Sequence, residues 1–175
     1  MTGNMFRTTA LLAALAMLAA CASTPEPRKA ATRPPPPERD VIAEVRAAGV
    51  DAADGLDVTP LRDPAVTDLR DAAIRFEAER AFDQADAALD RALALTPNDP
   101  ELTQWRAELA LAQGRYDDAV RLANASWETG PRLGGLCRRN WTAIRIAREL
   151  SGYPDAATAA AAQIARCTVE PPVRM

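Results

Sequence analysis

The sequence contains no histidine, and this absence excludes several classes of enzyme. Without histidine the chain cannot form a Ser-His-Asp or Cys-His arrangement, and it cannot carry the HExxH motif of zinc hydrolases. A glycine-rich loop of the kind that cradles phosphate is also missing. Neighbouring acids such as Asp117 and Asp118 lie beside a predicted turn, where solvation is enough to explain them. We therefore expect a protein that is not an enzyme, with no cofactor, no metal and no small-molecule substrate.

An excess of positive charge is missing too. The 24 acidic residues outnumber the 21 lysines and arginines, so the formal net charge is −3 at pH 7. This balance argues against a nucleic-acid partner, because phosphate backbones attract basic surfaces.

The charge is nevertheless unevenly distributed along the chain, and two readings of this stay open. It can reflect solvated helix faces, or an electropositive docking surface for an acidic partner. The acidic stretch contains Asp63, Asp68, Asp71, Glu77, Glu79, Asp83, Asp86 and Asp90, and the basic one contains Arg132, Arg138, Arg139, Arg145 and Arg148.

The apolar run near the N-terminus is short. Arg7 precedes an uninterrupted run of eleven apolar residues, Ala10–Ala20, whereas a membrane span needs about 20. We interpret residues 1–20 as a secretory signal peptide. The sequence Leu18–Cys21 resembles the bacterial lipobox, which implies that Cys21 is lipidated and becomes the mature N-terminus. Ala22 and not Asp follows this cysteine, so the resemblance implies an outer-membrane lipoprotein that faces the periplasm and is held by its lipid anchor alone.

Residues 21–40 predict a disordered, proline-rich tether behind the lipidated cysteine. The segment contains Pro25, Pro27 and the run Pro34–Pro37, but no large apolar residue that could contribute to a core. Extended in polyproline II, about eighteen residues reach roughly 50–60 Å. A spacer from the membrane explains this segment, and a proline-rich recognition ligand is the alternative.

A period of 34 residues organises the middle of the chain. Phe82–Ala85 corresponds to Tyr116–Ala119, and Pro97 corresponds to Pro131, each at an offset of 34. This spacing, with an alanine in mid-unit and a closing proline, resembles the tetratricopeptide repeat. The resemblance implies an all-α fold, a short tetratricopeptide-repeat superhelix with two clear repeats and a divergent third.

The two clear repeats begin near Val66 and Pro100, and each is expected to form two helices of about 12–15 residues. We expect the third to break at Ser151-Gly152 and to contain an insertion near Arg132–Leu136. Its register is open between aligning Gly152 with Gly114 and aligning Tyr153 with Tyr116, and the glycine alignment is preferred. Alanines are expected where paired helices approach closely, and larger residues should fill the core: Ala85, Ala92, Ala107 and Ala119, then Phe76, Phe82, Leu89, Tyr116 and Leu122.

Residues 41–65 are expected to form a capping helix and an extended lead-in, followed by the repeat domain at 66–168 and a tail at 169–175. Val41, Ile42 and Val45 have helical spacing, and Gly49 is a natural stop. Either this helix or the residues Leu56, Val58 and Leu61 should cover the open apolar face of the first repeat, because solenoid ends need capping.

Cys137 and Cys167 are expected to form a disulfide. They fall at the start of the first helix and the end of the second helix in the third unit, and these two ends lie side by side in an antiparallel hairpin. An oxidising periplasm favours the bond. Catalytic or metal-binding roles need a CxxC spacing or a nearby histidine, and the chain has neither.

A finer resemblance concerns four short motifs. Asp57–Pro64, Pro100–Leu102, Leu111–Gly114 and Arg139–Trp141 resemble small outer-membrane lipoproteins of proteobacteria that have a proline-rich linker and one repeat domain. Some of these proteins activate class A penicillin-binding proteins, the peptidoglycan synthases, which implies such a synthase as partner. Two alternatives stay open: a generic scaffold or assembly factor for pilus, secretion or outer-membrane machinery, and a purely structural lipoprotein.

The repeat resemblance also implies a partner-binding surface. Repeats of this type present the first helix of each unit to a concave groove. Trp141 is open between core packing and the groove, as is Trp105. The predicted partner-binding residues are Gln104, Trp105, Glu108, Arg138, Arg139, Trp141, Arg145 and Arg148.

Overall fold

The computed structural model describes residues 39–50 and 63–168 of the 175-residue chain. Within these ranges it contains seven α-helices and no strand, which confirms the expected all-α fold. The helices are α1 (Val41–Gly49), α2 (Pro64–Ala78), α3 (Phe82–Leu95), α4 (Pro100–Ala112), α5 (Tyr116–Thr129), α6 (Gly134–Leu150) and α7 (Pro154–Arg166).

Several predictions lie outside the described residues. They are the signal peptide, lipidation at Cys21, the tether as far as residue 38, the roles of Leu56, Val58 and Leu61, and the tail from residue 169. None of the helices within 39–50 and 63–168 is both long and apolar enough to cross a membrane.

The helices that open the first two units begin in the same way. Asp63 Oδ1 accepts a hydrogen bond from the Ala65 amide at 2.8 Å, and Asp99 Oδ1 accepts one from the Glu101 amide at 2.9 Å. In each case proline occupies the first helical position, where a missing amide proton costs nothing. The Asp-Pro pairs at 63–64 and 99–100 therefore set where α2 and α4 begin.

Three helical hairpins, α2–α3, α4–α5 and α6–α7, turn at equivalent residues. Arg80, Gly114 and Gly152 each have a positive φ, of 57°, 73° and 82°. The amide of the following residue then donates to a carbonyl five positions earlier, as Tyr153 does to Arg148 at 2.8 Å. This pattern closes the end of the preceding helix. Because Gly152 and Gly114 are geometrically equivalent, the glycine alignment of the third unit is correct.

The third unit is four residues longer than the second, and the extra residues lengthen its first helix. α6 has 17 residues and α4 has 13, so with Gly152 aligned on Gly114 the additional turn falls at residues 134–137. The predicted insertion at Arg132–Leu136 overlaps this turn. The turn includes Cys137, which forms the expected disulfide with Cys167 at a Cα–Cα distance of 5.6 Å.

The hairpins stack in chain order, with α3 against α4 and α5 against α6. Alanine allows the close approach: the four alanines predicted at helix contacts, Ala85, Ala92, Ala107 and Ala119, are fully buried. Leu89 is also fully buried and Leu122 nearly so, whereas Phe76, Phe82 and Tyr116 pack partly buried at the edges of two adjoining cores.

Of the two alternatives for a cap on the first repeat, the helix α1 does not provide it. The other, Leu56, Val58 and Leu61, lies outside the described residues and stays a prediction. α1 packs mainly against α6, and also against α4. Val41 and Val45 belong to the core of the second and third hairpins, while Ile42 packs against the core of the first two. The reason is complementarity, because α4 and α6 offer α1 both an apolar surface and charged partners, which are described next.

Candidate functional site

The first helices of the three hairpins, α2, α4 and α6, contribute the side chains that surround α1, and we call the surface they form the groove. α1 runs antiparallel to α6. Its C-terminal Gly49 lies beside Gly135, and at its other end Arg39 Nη1 is 3.3 Å from Glu149 Oε1. A Cβ atom on Gly135 would come within 2.5 Å of the Gly49 carbonyl oxygen, so glycine at this position allows the two helices to meet.

Glu108 is the centre of the groove and is fully buried. Its carboxylate accepts hydrogen bonds from Arg46 Nε at 2.9 Å and from Arg139 Nη2 at 2.6 Å. Gln104 Nε2 lies 3.4 Å from the same carboxylate. A buried carboxylate is tolerated only when it is paired and hydrogen-bonded, so Glu108 needs these arginines. One arginine comes from α1 and the other from α6.

Arg46 also binds Glu77 of α2. Its two terminal nitrogens lie 2.7 and 2.9 Å from the two carboxylate oxygens of Glu77, a bidentate pair. Trp105 Nε1 donates to the same carboxylate at 2.6 Å, and the Arg46 guanidinium carbon lies 5.7 Å from the Trp105 ring centroid. Burial opposes the charge on Arg46, yet hydrogen bonds and attraction from Glu77 and Glu108 raise its pKa above the ordinary value. Arg46 therefore stays charged.

Toward α6, the helix α1 presents a negative charge, that of Glu44. Glu44 Oε1 accepts a hydrogen bond from Arg145 Nη2 at 2.6 Å, and Glu44 Oε2 accepts one from Arg39 Nε at 2.8 Å. The hydrogen bond from Arg39 is the largest of the effects that shift the pKa of the Glu44 carboxyl group. With the bond from Arg145, and against partial burial, it holds the pKa of Glu44 below its usual value.

Arg138 holds the C-terminal end of α1. Its Nε donates to the Ala48 carbonyl at 2.9 Å and its Nη2 to the Gly49 carbonyl at 3.2 Å. The last carbonyls of a helix lack partners within the helix and carry partial negative charge, so a guanidinium stabilises them. Arg138 is 6% exposed as a result.

The groove thus carries a charge gradient, and α1 matches it. Glu77 and Glu108 face Arg46, and Arg145 faces Glu44. From the acidic stretch of the sequence Glu77 pairs with Arg46 of α1, and from the basic stretch Arg145 pairs with Glu44. The apolar side chains Val41 and Val45 of α1 join the core that α4, α5 and α6 form.

The structure brings six of the eight predicted partner-binding residues together around α1: Gln104, Trp105, Glu108, Arg138, Arg139 and Arg145. The other two lie toward α5. Arg148 Nη1 is 3.2 Å from Asp117 Oδ1, and Trp141 packs edge-on against Trp127 with ring centroids 5.4 Å apart. Trp141 therefore serves core packing.

Sequence reasoning missed the residues of α1 and α2 that complete the groove, Glu44, Arg46 and Glu77. The signal was present in α1, where opposite charges two positions apart, at Glu44 and Arg46, interrupt an otherwise apolar helix. A cap at the end of a solenoid would need only one polar face.

Part of the groove stays open beside α1. A pocket of about 490 Å³ lies between α1, α2 and α4, with Trp105 and Arg139 among its lining residues. Ile74 and Val50, also in this lining, are 55% and 82% exposed. This combination of apolar, aromatic and arginine side chains is typical of surfaces that bind proteins.

A family model described as tetratricopeptide repeat matches residues 77–132, which extend from the end of α2 to just beyond α5. A comparison with curated protein sequences gives no match.

Proposed function

Because the chain carries tetratricopeptide repeats, which commonly serve as non-catalytic scaffolds for protein–protein interaction, we propose that this protein binds a partner protein through the groove. The observation that carries the proposal is the seating of α1. This helix lies in the groove, where its apolar side chains meet an apolar core, its arginine meets carboxylates and its glutamate meets an arginine.

The groove also has the composition expected of an interface. Trp105, Arg70 and Arg139 line its open part, and tryptophan and arginine are the residue types that most often dominate binding energy. The gradient from Glu77 to Arg145 would orient a partner segment, because complementary charge determines register and direction.

We further propose that the protein acts from the outer membrane, lipidated at Cys21 and facing the periplasm, and that its partner is a class A penicillin-binding protein. Support comes from the lipobox-like Leu18–Cys21 and from the resemblance of the Asp57–Pro64 motif to lipoprotein activators of these synthases. A tether of roughly 50–60 Å together with a repeat domain of roughly 40–50 Å makes contact with a protein rooted in the inner membrane possible, with little length to spare.

The test is site-specific photo-crosslinking in the native envelope, followed by mass spectrometry. A photoreactive phenylalanine at Ile74, exposed within the groove, should capture the partner. The same residue at Ala94, exposed on α3 outside the groove lining, is the matched control and should not. Equal capture from both positions would contradict binding through the groove.

The identity of the captured protein decides the partner. Capture of a class A synthase, together with stimulation of its purified form by the purified chain, supports the activator role. Capture of a pilus, secretion or outer-membrane assembly protein would instead establish the generic scaffold.

A further inference from the structure

The helix α1 packs on the three hairpins but belongs to none of them. The hairpins α2–α3, α4–α5 and α6–α7 pair and stack with one another without using α1. α1 has nine residues, and a helix of that length is not stable alone in water. Its helical state therefore depends on the groove, in the way a bound peptide's state depends on its receptor.

The chain leaves α1 room to depart. Twelve residues, 51–62, connect Val50 to the start of the first hairpin at Asp63. Twelve residues span up to about 40 Å when extended, which is longer than α1 itself. The length of this connection therefore does not by itself hold α1 in the groove.

If α1 left the groove, specific side chains of the groove would lose their contacts. These contacts define the chemistry of a ligand that could take the place of α1. Glu77 and Glu108 would lose the Arg46 guanidinium, and Arg145 would lose the Glu44 carboxylate. Glu108 would keep Arg139 and Arg145 would keep Glu149, so each group would lack one charged partner that an incoming helix can supply. The apolar positions filled by Val41 and Val45 would open as well.

We propose, on the basis of the groove-binding function above, that α1 is a built-in occupant of the groove which the partner displaces with a helix of the same chemistry. The partner helix presents two apolar residues four positions apart, an acid one position before the second of them and an arginine one position after it. This is the pattern of Val41, Glu44, Val45 and Arg46. A helix reversed in charge would place like charges against Glu108 and Arg145, which disfavours it.

Displacement predicts how affinity responds when α1 is weakened. A ligand that binds only the open groove has its apparent affinity reduced by the fraction of chains that are open. The probe is a fluorescein-labelled peptide of residues 38–50, titrated by fluorescence polarisation into the chain from Ala22 onward, which retains every described residue. The parent chain should bind it weakly, because the intramolecular copy of the same helix competes.

Val45→Asp in the chain weakens α1 and leaves the groove unchanged, so we expect at least tenfold tighter binding of the peptide. Ala43→Asp puts the same group on the exposed side of α1 and is the matched control, with parental affinity expected. Adding Arg145→Glu to the Val45→Asp chain should abolish the gain. A folded Val45→Asp chain that binds the peptide no tighter than the parent overturns the proposal.

If the Val45→Asp chain does not fold, hydrogen exchange of the parent chain tests whether α1 opens independently of the hairpins. The amides of α1 should exchange faster than those of α4 and α6, because α1 opens locally. Exchange of all three helices in one cooperative step overturns the proposal. A dimer that dissociates on addition of the peptide would make a second copy of the chain the occupant and overturn the partner assignment.

These outcomes are independent of the crosslinking test of function. The peptide titration and hydrogen exchange need no partner protein, so a failure to capture one at Ile74 leaves them interpretable. Conversely, capture at Ile74 with a fixed α1 would keep the groove as the binding site and remove only the displacement.

Discussion

Arg46 Nε lies 2.9 Å from the carboxylate of Glu108, although 62 positions separate the two residues. Arg46 reaches this buried carboxylate from α1, while Arg139 reaches it from α6. Because Glu108 is fully buried and Arg46 is not, the two ends of the pair differ in what their removal does. Loss of Glu108 takes the carboxylate partner from Arg139 and leaves Arg46 with Glu77, whereas loss of Arg46 leaves Glu108 with Arg139.

Glu108→Ala should lower the free energy of unfolding by about 1–3 kcal/mol, because Arg139 loses its carboxylate partner while part of its side chain still reaches water. Glu108→Gln should cost less, because the amide oxygen still accepts from arginine. Urea denaturation measures both. Glu128→Ala, at an exposed position on α5, is the control and should change stability by less than about 0.5 kcal/mol. Parental stability of Glu108→Ala would contradict the buried ion pair.

Ala85→Leu and Ala119→Leu should each destabilise the protein by about 1–3 kcal/mol, because a larger side chain forces closely packed helices apart. Ala94→Leu makes the same change at an exposed position of α3 and should be nearly neutral. Thermal unfolding followed by circular dichroism distinguishes them. If all three variants melt alike, the alanines are not helix contacts.

The Cys137–Cys167 bond closes a loop of 30 residues. By the chain-entropy estimate, removal of such a cross-link costs on the order of 3–4 kcal/mol. Cys137→Ala should lower the melting temperature by several degrees, and non-reducing peptide mapping of the parent should show the two cysteines joined. Cys21→Ala removes a cysteine outside the bond and should melt like the parent. Titration of free thiols at both positions in the native protein would refute the bond.

The docking of α1 should weaken in acid. Arg39 and Arg145 depress the pKa of Glu44 in the folded state, so this group stabilises the fold above its unfolded pKa, near 4.3. That contribution is lost as pH falls through the lower, folded pKa. Between about pH 5 and pH 3 hydroxide catalyses amide exchange and the intrinsic rate falls with pH, so the α1 amides should show a ratio of observed to intrinsic exchange rate that rises toward the acidic end. In Glu44→Gln this pH dependence should shrink, and an unchanged dependence would assign it elsewhere.

Cys21→Ala should leave unprocessed precursor and no protein in the outer-membrane fraction, because no lipid can then be attached there. Labelled palmitate incorporated by the parent and absent from the variant is the measurement. A variant that still fractionates with the outer membrane, without label, would contradict anchoring through Cys21.

The hairpins could be predicted from the sequence because local features determine them. Asp99 with Pro100 starts a helix and Gly114 ends one, whatever the surroundings. The members of the groove followed from the repeat register, so Gln104, Glu108 and Arg139 were expected there. The number and spacing of the hairpins could therefore be predicted without knowledge of the tertiary fold.

The surface on which α1 packs could not be predicted from local sequence features. It depends on the match of Glu44 and Arg46 to side chains as many as 101 positions away, and no local pattern encodes such a match. Arg138 and Arg145 were accordingly expected to be open to a partner, although they hold α1. Charge reversal at both would be neutral for folding on an open surface. Here it should lower the melting temperature.

The contacts of α1 also restrict the number of repeats that the domain can contain. Its nine residues pair with Glu77 in the first unit, Glu108 in the second and Arg145 in the third. Neighbouring helices are spaced about 8–10 Å apart, so an additional unit inserted between these would move one set of partners beyond the reach of a single side chain. Solenoids in general lengthen by duplication, but this one can gain a unit within the span of α1 only by giving up the helix that fills its groove.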